Sequence, residues 1–96
     1  METINKIENF MADIYFKMPS ELNNEYIDIC EQISSFFEKN FLNYEEIIQQ
    51  GRDIIQFLFD VMKTGDYIKM ADALNYDIKP IIEDALLFIE REKLNN

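Results

Sequence analysis

The chain has no histidine, no tryptophan, one cysteine, two glycines and two prolines in 96 residues. Each shortage removes a class of chemistry. Without imidazole, histidine phosphotransfer, histidine-ligated metals and histidine acid/base catalysis are excluded. A di-iron bundle built on Glu and Glu-x-x-His pairs fails on the same ground. A lone thiol, Cys30, forms no intrachain disulfide and cannot assemble a zinc site. No Gly-rich loop is present to cradle phosphate, and no D-x-[DN]-x-[DN]-G run to hold calcium. No cofactor or metal is therefore expected, and no enzyme. No apolar run nears the ~20 residues that span a bilayer. The opening METINKIENF has acidic residues and no continuous apolar stretch, so no secretory signal is read there and a cytoplasmic location is expected.

Basic residues are also scarce. Nine Lys and Arg face nineteen Asp and Glu, for a net charge of −10. A nucleic-acid partner needs a basic patch to neutralise phosphates, and an anionic membrane needs the same; neither is expected. The acidic surplus is heavier in the N-terminal half. Glu21, Glu25, Asp28 and Glu31 line the outer side of the second predicted helix. They read either as a docking face for a basic partner or as a solvated face.

What the chain does have is apolar periodicity. Hydrophobic residues make up 48% of it, enough for a core without stapling. Their 3,4 spacing is helical throughout. A first segment puts Ile4, Ile7, Met11, Ile14 and Met18 on one face and stops before Pro19, with Ser20 placed to cap the next helix. A second aligns Leu22, Tyr26, Ile29, Ile33 and Phe36, fading near Asn40. Asn43 and Glu46 read as a capping pair for a third. That third stripe is Tyr44, Ile47, Gly51, Ile54, Leu58 and Val61, with Ile48, Ile55 and Met62 beside it. Glycine on a buried stripe costs about 1 kcal/mol against alanine, which a closely approaching helix would offset. Gly65 is placed to end this helix and Asp66 to cap the fourth. The fourth stripe runs Tyr67, Ala71, Leu74, Ile78, Ile81, Ala85, Phe88, straight across Pro80, which predicts one long helix kinked at the proline. The whole, residues 1–96, is expected to be a single all-α domain, a four-helix up-down bundle.

Several large apolar residues fall off these stripes: Phe16, Ile27, Phe41, Phe59 and Leu87. They imply self-association, a groove for a partner helix, or broader burial in an irregular bundle. Cys30 sits beside the second stripe and reads as a small buried hydrophobe, with no basic neighbour to activate it. Asp72, Tyr76 and Pro80, at i, i+4 and i+8, share a face away from the fourth stripe. With Lys69 and Lys79 nearby, they form the candidate partner-binding site, tyrosine being enriched at binding hot spots. A structural reading of the same residues stays open: Asp72 satisfying a helix end and Tyr76 packing over the bend.

The run G-D-Y-I-x-x-A-D-x-L-x-Y-x-I-x-P-I-I, residues 65–82, resembles a segment of small, functionally unassigned acidic helical proteins of low-GC Gram-positive bacteria. The likeness covers this segment alone; the rest of the chain matches only in helical, acidic character. It implies a link to motility or surface-glycosylation systems and carries over no catalytic residue. Acidity, small size and apolar-face methionines are also similar, in general character, to flagellar and type III export chaperones. The resulting expectation is a non-enzymatic protein–protein interaction module, chaperone-like or an adaptor for a motility, secretion or surface system. A self-associating structural or regulatory protein, for example a homodimer, is the alternative.

Overall fold

The computed structural model describes residues 1–95 and is all-helical, with no strand among those residues. Three helices, α1 (Glu2–Asp13), α2 (Pro19–Phe41) and α3 (Glu45–Met62), precede a long C-terminal rod. The rod is α4 (Tyr67–Asp72), a π-helical stretch (Ala73–Ile78) and α5 (Lys79–Asn95).

α2 is the organising element. Leu22, Tyr26, Ile29, Ile33 and Phe36 are all buried, as their spacing predicts. Cys30, Phe37 and Phe41 are buried with them, so the apolar face of α2 is broader than a single stripe. It meets α1 on one flank and α3 on the other. Thr3 Oγ1 donates to Gln32, Lys6 pairs with Asp28 at 2.6 Å and Lys17 pairs with Glu25, so α1 and α2 run in opposite directions. Gly51 meets Phe37 and Leu58 meets Tyr26, so α3 also opposes α2. The Gly51 contact is the close approach its place on the stripe required. A Cβ there would lie 2.9 Å from Phe37 Cγ.

Three local expectations are corrected. α1 ends at Asp13, where the N–H groups of Phe16 and Lys17 both turn back to the Asp13 carbonyl at 2.9 Å. Of the predicted face, Ile7 is buried and Ile4, Met11 and Ile14 are half-buried against the core, while Met18 is exposed; Thr3 and Phe10 are buried beside Ile7. Pro19 opens α2 itself, at the position where its missing N–H costs nothing. Ser20 is therefore inside the first turn and caps nothing. At α3, Tyr44 takes the capping position with no side-chain bond, and Asn43 does not cap. The last junction is as read: Gly65 is left-handed at φ 71°, and Asp66 accepts the Lys69 N–H at 3.1 Å.

In the rod the apolar stripe slips by one residue. Ala71, Leu74 and Ile78 are buried as expected, but Ile81 is 40% exposed while Ile82 is 1% exposed. The π-helical stretch is the cause. Its hydrogen bonds reach back five residues, as from the Lys79 N–H to the Leu74 carbonyl, and so take up one extra residue. A wide turn also suits Pro80 directly after it, since proline has no N–H and its ring crowds the carbonyl four residues back. Backbone angles stay helical on both sides, −63°/−43° at Asp72 and −53°/−46° at Lys79, so the rod is continuous through the proline.

Candidate functional site

Asp72, Tyr76 and Pro80 are all exposed, along the outer side of the rod. Tyr76 is 69% exposed, and Ile68, one turn before Asp72, is exposed as well. Beneath them Met70, Leu74 and Ile78 are buried, closing the core. Among the described residues, neither the Asp72 carboxylate nor the Tyr76 hydroxyl has an ion pair or a side-chain hydrogen bond. The two lysines differ. Lys69 is exposed, its backbone N–H engaged by Asp66. Lys79 is turned toward α1 and pairs with Glu8 at 3.1 Å, so its charge is already held.

Two other surfaces escaped the sequence reading. A polar cleft between α1 and α2, about 440 Å³, is lined by Lys6, Asn9, Asp13, Lys17, Glu25 and Asp28. Its charges answer one another: Lys6 bonds Asp28, and Lys17 bonds both Asp13 and Glu25. These hydrogen bonds hold the ammonium groups of Lys6 and Lys17 above the ordinary lysine range. No spacing rule finds such a cleft, because its members come from two helices whose register is set by the turn between them.

The second surface is a groove between α2 and α3, about 400 Å³, floored by Phe37, Ile48, Gly51, Ile55 and Phe59. Here a signal was present: Ile48 and Ile55 flank the main α3 stripe, and Gly51 marks where the helices come together.

The reactive groups are inward. Tyr26 donates its hydroxyl to the Leu58 carbonyl at 2.6 Å, and burial drives its ionisation well above the ordinary range. Burial likewise pushes the Cys30 thiol up to about 12. A thiol so held is a packing group and a poor nucleophile. Among the described residues, no three His, Cys, Asp or Glu side chains converge on a point that could hold a metal ion. No helix among them is long and apolar enough to cross a membrane.

Comparison with protein-family models, with curated proteins and with solved structures finds no match.

Proposed function

We propose that this protein is a non-enzymatic protein–protein interaction module, acting as a chaperone-like protein or adaptor through the outer face of its C-terminal rod. The observation that carries this reading is the exposure of Tyr76 beside Asp72 and Pro80, above residues that already close the core. Burial beneath the face is complete, so folding gives no reason to spend a large tyrosine on solvent. A tyrosine flanked by an unpaired carboxylate, an isoleucine and a rigid proline offers a partner both apolar area and a directional bond. The proposed frame is an up-down four-helix bundle with a bend at Pro80, which presents this face convexly. The likeness of residues 65–82 to the Gram-positive segment supports a motility, secretion or surface system as the setting, with the cytoplasm as the compartment.

The experiment is affinity capture from extract of the native cell with wild type, Tyr76→Ala and Asp72→Ala. The expected outcome is a specific protein held by the wild type and lost from both variants, with thermal melts unchanged. If the variants melt early, the face is structural and the reading fails. Self-association is the alternative, favoured by Tyr15, Phe16 and Met18 at the α1–α2 turn, where Phe16 is 86% exposed. Sedimentation decides that alternative: a strict monomer at tens of micromolar excludes it.

A further inference from the structure

We propose that the groove between α2 and α3 is a docking site for a lysine- or arginine-rich amphipathic helix of a partner protein. This surface shares no lining residue with the rod face, so the inference stands independently of the reading above.

The floor supplies the apolar half of the argument. Ile48, Ile55 and Phe59 form a second stripe on α3, beside the one that meets the core. They are half-buried, packed on the core from below and open above. Gly51, lacking a Cβ, lets Phe37 come up against the α3 backbone between them and close the bottom. The groove continues past the start of α3, where Leu42, 73% exposed, lines it with Glu45 and Glu46. From Glu46 to Phe59 α3 advances thirteen residues, roughly 20 Å at 1.5 Å per residue. That is between three and four turns of a partner helix, matching apolar anchors at i, i+3 or i+4, and i+7.

The charges choose the occupant. Glu38, Glu45 and Glu46 border the groove against one guanidinium, Arg52. None of the four has an ion pair among the described residues. The chain as a whole carries −10. A second copy would bring like charge against like, which opposes association. A helix with basic flanks beside an apolar stripe answers both the floor and the border.

The test uses the full chain and a fluorescent amphipathic Leu/Lys peptide of about 18 residues, five helical turns. Anisotropy is read at physiological ionic strength, where charges more than about 8 Å apart are largely screened. The groove variant Glu38→Lys/Glu45→Lys/Glu46→Lys is compared with a control of equal net charge, Glu21→Lys/Glu83→Lys/Glu90→Lys. All six positions are exposed, and circular dichroism checks that both variants keep the wild-type helix content. The groove variant is expected to weaken binding about tenfold or more, the control far less, because charges at the contact dominate. Ile55→Ser, which removes floor and no charge, is expected to weaken it too, with circular dichroism confirming the fold. Equal weakening by both triple variants means diffuse attraction and overturns the proposal. So does equal binding of a Leu/Glu peptide, or no binding at millimolar protein. Dimerisation of the wild type that the groove variant abolishes makes the occupant a second copy and overturns it as well.

Discussion

Replacing Gly51 by alanine sets two effects of known sign against each other. Helix propensity favours the change by about 1 kcal/mol, since glycine in a helix interior is that much worse than alanine. Packing opposes it. The new methyl would lie 2.9 Å from Phe37 Cγ, 3.1 Å from its Cβ and 3.3 Å from its Cδ1. Carbon atoms prefer about 3.5–4.0 Å, so α2 and α3 must separate by a half ångström or more. Phe37 cannot yield cheaply, because the atoms struck are the root of the side chain. Its ring is also wedged between Phe36 and Phe41, with centroids at 5.5 and 5.8 Å. Overpacking of this kind costs typically about 1–3 kcal/mol. The net expectation for Gly51→Ala is a loss of about 1 kcal/mol, a fall in Tm of roughly 4–8 °C for a domain this size. The decisive measurement is a double-mutant cycle in urea, with Phe37→Ala as second background and an osmolyte to keep it folded. With Cγ and the ring gone, alanine at 51 should become neutral or stabilising by up to about 1 kcal/mol. A raised Tm for Gly51→Ala in the wild-type background, or the same loss in both, would falsify the close-approach account.

Three further outcomes follow from buried and capping groups. Tyr26→Phe removes one hydroxyl from a sealed site and should cost about 1 kcal/mol, read as a lower urea midpoint with unchanged slope. Asp66→Ala removes the cap of α4 and should also cost about 1 kcal/mol; hydrogen exchange should quicken first at the Lys69 amide. Alkaline pH should destabilise the fold from pH 9 upward. Burial raises the Cys30 thiol from its ordinary 9.0 to about 12, so between those values the unfolded chain releases a proton that the folded chain keeps. Stability then falls with rising pH, by up to about 1.4 kcal/mol per unit. Cys30→Ala should flatten the slope most between about pH 8.5 and 9.5, where the thiol dominates and Tyr26, with an ordinary value of 10.0, has barely begun to ionise in the unfolded chain; an unchanged slope there refutes the assignment.

How far the sequence could be read depended on helix length and on the assumed period. The main stripe of α2 was legible in full, because twenty-three residues average out local exceptions, but packing against both α1 and α3 buries Phe37 and Phe41 beyond it. α1 has twelve residues, and its predicted face was right but off-centre: Ile7 is sealed, Ile4, Met11 and Ile14 pack at the edge of the core, and Thr3 and Phe10 complete the inward line. There Pro19 looked like a stop signal for α1 and turned out to be the start of α2. The rod failed differently. Its 4,3 spacing is correct to Ile78 and departs at Ile81; beyond it Ala85 and Phe88 still pack, now shared with Leu86 and Ile89, because a period of 3.6 cannot anticipate a turn that holds one residue more. The exposure of Asp72, Tyr76 and Pro80 was legible because it required only that they avoid the buried stripe. The loss of Lys79 to Glu8 was not, since that pair joins residues 71 apart in sequence.

The surplus of apolar residues off the predicted stripes divides by the same logic. Phe41 is buried and Ile27 and Phe59 are half-buried, because α2 and α3 are packed over faces wider than one stripe. Phe41 also gathers Phe36, Phe37, Tyr44 and Phe88 around it at centroid distances of 5.8–6.1 Å. Broader burial thus accounts for part of the surplus without any partner. It does not reach Phe16 at the α1–α2 turn, nor Leu87 on the rod, nor Leu42 at the mouth of the groove. These residues sit at turns or on outer helix faces, where no further element of the described chain lies against them. Leu42 differs from the other two in its setting, since it adjoins an apolar floor bordered by Glu38, Glu45 and Glu46. An isolated exposed apolar residue needs no partner; Leu42 is not isolated, and in the proposed docking site it lengthens the apolar floor.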